Sequence, residues 1–402
     1  MLRVGHAQID ISPGPDCGLL GFDFRPLQLP PGNAGVHDPL YARVFVLDDG
    51  GVPAVLVSLD LAILPNALAR HLRKVVAEKL EIALERVIIA CTHTHSGPLP
   101  ELPGEDDDTE CGELCGGSQR EKVAAREYTH LLQAKLLEAV GAAAGLRYPV
   151  TMAVQEAPFG LGYNRRVNTP TGIRHCWNPG EQATLRPGPP TDPTLTVVAL
   201  RQIAGPRSYL LFSIGVHGVG LGKTSRVLSA DWPGLTCTML DAQAPGTHAA
   251  FFSGAAGDTH PWVATQEDPE QLRPVAAAAA SMVSLLAQSA QPLDLPAEDT
   301  LKVATRTVKV GEIELDLSVW KIGTLYLIAA PVELFGALAV DLRHRLPGPV
   351  LLATVSNGWT GYWPTRAAFA EGGYEINASW ACKPGDGEWL IDELVGLAES
   401  LG

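Results

Sequence analysis

The segment Val87-Ile-Ile-Ala-Cys-Thr-His-Thr-His-Ser-Gly-Pro98 passes from a β-branched apolar run straight into two imidazoles at alternate positions. Successive side chains of an extended chain point to opposite faces. If the strand continues through this region, His93 and His95 project to one side, where they can share a metal ion or a substrate atom. A His-x-His pair alone is a weak signal, because such pairs also arise by chance and then satisfy local hydrogen bonds. Partners must come from elsewhere in the chain.

Four further apolar runs end in the same manner. Tyr209–Val216 delivers His217, followed by glycine, and Leu325–Val332 delivers Glu333, a charge too costly to bury without a partner. Val350–Ser356 leads through Asn357 into Gly358-Trp-Thr-Gly-Tyr362, and Ala249–Phe252 leads into Ser253-Gly-Ala-Ala-Gly-Asp-Thr-His260-Pro261. Ligands of α/β sheets bind in the crevice beyond the carboxyl ends of strands, so side chains leaving five such ends can meet in one place. Two histidines, a carboxylate and one further ligand form an ordinary catalytic zinc shell that keeps a position open for water. Ordinary buried strands ending in turns account for the glycines but not for the recurrence of histidine and glutamate.

These landmarks, with Gly35-Val-His-Asp-Pro-Leu-Tyr-Ala-Arg43, Asn164-Arg165, Ser229-Ala-Asp-Trp-Pro-Gly234 and the stretch Asn357–Tyr374, span nearly the whole chain. In content and order they resemble the catalytic domain of the neutral (neutral/alkaline, non-lysosomal) ceramidases, a family of zinc-dependent amidases. The resemblance implies an α/β fold of mixed β-sheets flanked by helices, with the active site at strand C-terminal ends. It also implies a zinc ion held by His93, His217, Glu333 and Tyr362, with His95, Arg165 and Tyr374 facing the substrate. The spacing of Tyr362 and Tyr374 matches the family's pair of active-site tyrosines.

Two departures shape the expectation. His260 stands where the family carries a serine before the proline of the glycine-rich loop, so a substrate other than ceramide is expected. The chain ends at Gly402 without the family's carboxy-terminal β-sandwich domain, so residues 1–402 are read as a single domain.

Composition agrees with one enzyme unit, since no low-complexity linker divides the 402 residues. The proline- and glycine-rich stretch Asn178–Asp192 reads as a long loop at the rim of the cleft or as a plain connector. A net charge of −14 without a basic stripe argues against nucleic acid and anionic membranes, leaving a small-molecule substrate. Met1–Pro13 alternates like a strand and lacks the features of a secretory signal, so a cytoplasmic location is expected. The apolar run Pro274–Leu286 is too short to span a bilayer and reads as a packed helix. Pro65–Leu80 and Gln119–Ala144 carry apolar residues at helical spacing.

Seven cysteines, an odd number, read as reduced thiols. Cys111 and Cys115 lie in a charged, glycine-rich run that is read as a solvated loop rather than a second metal site. Asp60 reads either as a partner orienting a histidine or as a helix cap, and Asp231 as the start of a helix.

The chemistry expected is hydrolysis of an amide bond by metal-activated water, with His95 moving the proton and Arg165 and Tyr374 stabilising the oxyanion. His260 reads as a hydrogen-bond donor, an extra ligand or a core histidine, with Asp258 placed to orient it. An esterase or lactonase would use the same site. A non-catalytic metal- or ligand-binding protein fits less well, because structural zinc sites are closed. Specificity is expected from Leu99–Ser118 and Arg166–Asp192, while the acyl group, the amine and the oligomeric state are not written in these motifs.

Overall fold

The computed structural model describes residues 1–22, 29–101, 119–177, 191–296 and 300–402. The cysteine pair Cys111 and Cys115 with its acidic run, and most of the Asn178–Asp192 stretch, lie outside the described residues. In chain order the strands are β1 (Arg3–Asp10), β2 (Tyr41–Asp48), β3 (Ala54–Leu59), β4 (Val87–Cys91), β5 (Arg147–Pro158), β6 (Gly162–Asn164), β7 (Arg166–Thr169), β8 (Gly172–His175), β9 (Thr194–Gln202) and β10 (Ser208–Ile214). They continue with β11 (Thr247–Ser253), β12 (Thr259–Pro261), β13 (Gln291–Pro292), β14 (Leu301–Val310), β15 (Ile313–Ile322), β16 (Leu325–Ala330), β17 (Glu333–Leu334), β18 (Val350–Thr354) and β19 (Tyr362–Trp363).

Two sheets organise the molecule. The larger follows the order β11-β10-β9-β5-β1-β2-β3-β4, with β13 added on β5, and the smaller follows β14-β15-β16-β18. Most neighbours are antiparallel, but β3 with β4, β10 with β11, and β16 with β18 are parallel. Parallel neighbours need a crossover. Each of these pairs has one helix in its connection: Asn66–Leu80, Asp231–Gln243 and Gly336–Arg345 respectively. The fold therefore contains three crossover units, each opening a crevice beyond its strand ends.

The large sheet curls until its parallel edges meet. Ser58 Oγ on β3 donates to the Phe251 carbonyl of β11 at 2.7 Å. Just beyond, the His95 N–H donates to the Gly218 carbonyl at 2.9 Å. Only glycine fits at 218, since a Cβ there would stand 2.6 Å from the His93 carbonyl oxygen. The small sheet is stitched over the same edge, where the Cys91 N–H reaches the Val355 carbonyl at 3.1 Å and the Asn357 N–H reaches the Ile89 carbonyl at 2.8 Å.

Burial explains these layers. The inner faces interlock through Phe45, Leu56, Ile88, Leu211 and Phe252 against Trp320, Leu327 and Leu351. Outside the large sheet lie Asn66–Leu80 and Gln119–Gly145 on one half, with Asp231–Gln243 and Leu272–Ser289 on the other. Gly336–Arg345 and Asp386–Glu399 cover the small sheet. Mixed sheets flanked by helices are the arrangement expected, and the periodic segments become helices within two or three residues of their expected ends. Among the described residues no helix is long and apolar enough to cross a membrane.

One half-buried histidine pair inside this frame has its titration shifted. His6 of β1 stacks on His248 of β11, with ring centroids 4.3 Å apart, beside Phe45 and Tyr209. Burial, then the neighbouring His248, Arg43 and Arg207, hold the His6 imidazole well below the ordinary histidine range, and burial lowers His248 as well. In the unfolded chain both return to about 6.5. Below that pH the unfolded state binds protons that the folded state refuses, so stability falls as the pH drops from about 6.5. His6→Phe, which keeps a ring in place, is expected to flatten the change in urea midpoint between about pH 7.5 and about pH 5. A pH dependence identical to wild type would exclude the stack as its source.

Candidate active site

Strand β4 ends at Cys91, and His93 adopts the left-handed backbone region with φ 63°. A turn, not alternation along a strand, therefore brings His93 and His95 together, with rings edge-to-face and centroids 4.9 Å apart. The turn costs on the order of 1 kcal/mol for a non-glycine residue. It is fixed by the His93 N–H on the Leu61 carbonyl at 2.9 Å and by Nδ1 on the Ala62 carbonyl at 2.8 Å. His217, carried past β10, is fixed likewise by Nδ1 on the Ala256 carbonyl at 2.6 Å.

A carbonyl oxygen only accepts, so Nδ1 carries the proton in both rings and each Nε2 presents a lone pair. These two Nε2 atoms lie 3.1 Å apart. Glu333 Oε2 lies 3.3 Å from the first and 3.2 Å from the second, and it has no hydrogen-bond partner among the described residues. Its other oxygen accepts from Trp359 Nε1–H at 2.8 Å. His95 Nε2 stands 3.5 Å from that of His93, and the three imidazoles offer ligand atoms within 4.8 Å of one another. Burial, with Arg165 nearby, lowers His217 to about 4 against the pull of Glu333, so the ring is neutral at neutral pH. Lone pairs and a carboxylate gathered without a proton between them repel, and a divalent cation is the group this donor set accommodates.

The remaining expected residues gather around this centre. Glu333 and Tyr362 are register partners in the parallel pair β17 and β19, so their side chains leave the same face. Burial, then the Glu333 charge, pushes the Tyr362 hydroxyl well above the usual tyrosine range. The Arg165 guanidinium carbon lies 5.3 Å from the Tyr362 ring centroid and 5.9 Å from that of Tyr374. Arg165 is buried, with Nε on Glu375 at 2.8 Å, Nη2 on the Gly257 carbonyl at 2.8 Å and Nη1 on His260 Nε2 at 3.0 Å. Because guanidinium cannot accept, His260 must accept through Nε2 and carry its proton on Nδ1.

Three carboxylates differ in outcome. Asp258 does not orient His260: its oxygens take the Gly336 N–H at 3.0 Å and Asn164 Nδ2–H at 2.8 Å, and burial raises it to about 6. Asp60 neither caps a helix nor touches a histidine, since it accepts from Arg43 Nη1 at 2.7 Å and from the Tyr41 N–H at 2.9 Å. Asp231 begins its helix as expected, accepting from the backbone of Gly220, Leu221 and Trp232.

No family model matches the chain, and no curated protein matches it in sequence. Solved structures do match it in fold. A neutral ceramidase from Pseudomonas aeruginosa superposes with a TM-score of 0.80 at 16% identity, over 100% of this chain and 74% of that one. A ceramidase complexed with C2 gives 0.81 at 16% identity, over 100% and 75%. The fold is that of the neutral ceramidases.

Within this ceramidase fold, four aromatic residues at the centre were not singled out from the sequence. Trp359 orients Glu333. Phe22 lies 5.4 Å from His95, centroid to centroid, behind Gly21, whose φ of 126° and closeness to the His95 Cβ exclude a side chain. His175 and Trp177 stack at 4.1 Å, with His175 5.0 Å from His260. Burial, with Arg165, lowers His175 to about 3. His175 ends β8 of the short β7–β8 hairpin and Trp177 follows it, with no apolar strand run to mark them.

Proposed function

We propose that the protein is a zinc-dependent hydrolase that cleaves the amide bond of a small N-acyl compound other than ceramide. The observation that carries this is the convergence of two Nε2 lone pairs and the unpartnered Glu333 Oε2 in a buried site at strand ends. His93, His217 and Glu333, with Tyr362 from the neighbouring strand, would hold the ion. When bound, zinc lowers the pKa of water to about 7 and polarises a carbonyl oxygen.

The chain's own groups do the rest. His95, with Nε2 3.5 Å from that of His93, takes a proton from the attacking water and returns it to the departing nitrogen. Tyr374 at the mouth and the His260 Nδ1–H donate toward the developing oxyanion, His260 in place of the serine of the ceramidases. Arg165 has each nitrogen engaged, so it acts as a positioning residue, fixing the tautomer of His260 and holding positive charge beside Tyr362.

His95→Ala is expected to lower turnover about 100- to 10,000-fold with metal content unchanged. Metal lost along with activity would make His95 a ligand instead. Matched N-acyl compounds and esters assayed side by side test the bond: amide cleavage supports the reading, and strict ester selectivity replaces it with an esterase or lactonase.

A further inference from the structure

The rings around the centre make a nearly closed circuit. Phe22 follows His95 at 5.4 Å, Trp177 follows Phe22 at 6.3 Å, and His175 stacks on Trp177 at 4.1 Å with an interplanar angle of 18°. Tyr374 lies 5.2 Å beyond His175, and Tyr362 lies 5.8 Å beyond Tyr374. His217 and His260, 5.8 Å apart, form the inner side.

Half of these rings are buried, but on the outer side Tyr374 and Trp177 remain 45% and 43% exposed, Trp177 although His175 already occupies one side of its indole. So large an apolar surface left open beside a reactive centre suits a ligand ring. Next to it, His260 Nδ1 and His175 Nε2 are buried without a hydrogen-bond partner among the described residues. Buried polar atoms in native proteins are nearly always paired, so with His260 Nδ1 directed to the oxyanion, His175 Nε2 marks a place where a ligand's polar edge belongs.

We infer that Trp177 is a stacking platform for a planar aromatic ring of the substrate, with His175 Nε2 receiving a polar substituent of that ring. This rests on the hydrolase reading above and narrows it to N-acyl compounds bearing a hydroxyaryl or heteroaryl group, on either side of the amide. A saturated ring of equal size fills the space but forgoes the offset stacking, which is worth about two- to tenfold in affinity.

The test is binding, read by ligand-observed NMR on the zinc-loaded protein, of para-hydroxybenzamide, benzamide and cyclohexanecarboxamide. On wild type the affinities should fall in that order, with about tenfold between the first and last. Trp177→Leu should erase the advantage of the flat rings, Trp177→Phe should keep it, and His175→Phe should erase only the advantage of the hydroxyl. Equal binding of flat and saturated probes, or a preference untouched in Trp177→Leu, overturns the inference even if amides are hydrolysed. A ring preference that stands while no N-acyl compound is cleaved upholds the subsite and removes the hydrolase reading instead.

Discussion

His217→Ala is expected to emerge from purification with little metal and to lose more than about 100-fold in metal affinity, with amide hydrolysis falling in step. Loss of an outer hydrogen bond to a ligand already costs about 10- to 100-fold, and loss of the ligand itself costs more. The imidazole is fully buried and locked by the Ala256 carbonyl, so it is a fixed donor that alanine does not replace. Mass spectrometry of wild type and variant grown side by side in zinc should give about one ion per chain for the first. About two ions would assign His95 or His260 to a second metal and favour a bridged site. A wild type without metal would remove the mechanism. Matching thermal melts of apo wild type and variant separate lost ligation from lost folding.

Removing Arg165 should cost both stability and turnover. Arg165→Met strips partners from Glu375, Gly257 and His260 at once, yet Glu375 keeps Arg166 Nη1 at 2.8 Å. The stability loss is therefore expected near the lower end of the range for broken buried pairs, about 3 kcal/mol. Turnover should fall about 100- to 1000-fold, as when an aimed donor is lost, because His260 is released from its fixed tautomer. Arg165→Lys restores the charge without the planar fork and should recover stability more than turnover. If lysine restores both, charge alone is what the site needs from this position.

The strand ends were legible because each couples two signals: a β-branched run that must be buried, and a histidine or glutamate that would be out of place in it. Hence His93, His217 and Glu333 were readable as one centre before any coordinate, as was the α/β class. What escaped depends on neighbours remote in the chain. The turn at His93 is dictated by the Leu61 and Ala62 carbonyls, and the partner of Asp60 is Arg43 on the adjacent strand. The wall of His175 and Trp177 acquires meaning only when the β7–β8 hairpin is folded against His260. The order of the large sheet was equally hidden, because nothing local tells β1 to pair with β5.

The three crossover units each deliver one part of the centre, from the two edges of one sheet and from the other sheet. A chain with only one unit docked holds an isolated imidazole or a solitary carboxylate, and neither activates water. Incompletely assembled molecules, which expose sheet edges and adhere to whatever they meet, are in this design chemically silent. On the hydrolase reading proposed above, competence arrives together with final closure, and catalysis reports that the last seam has sealed.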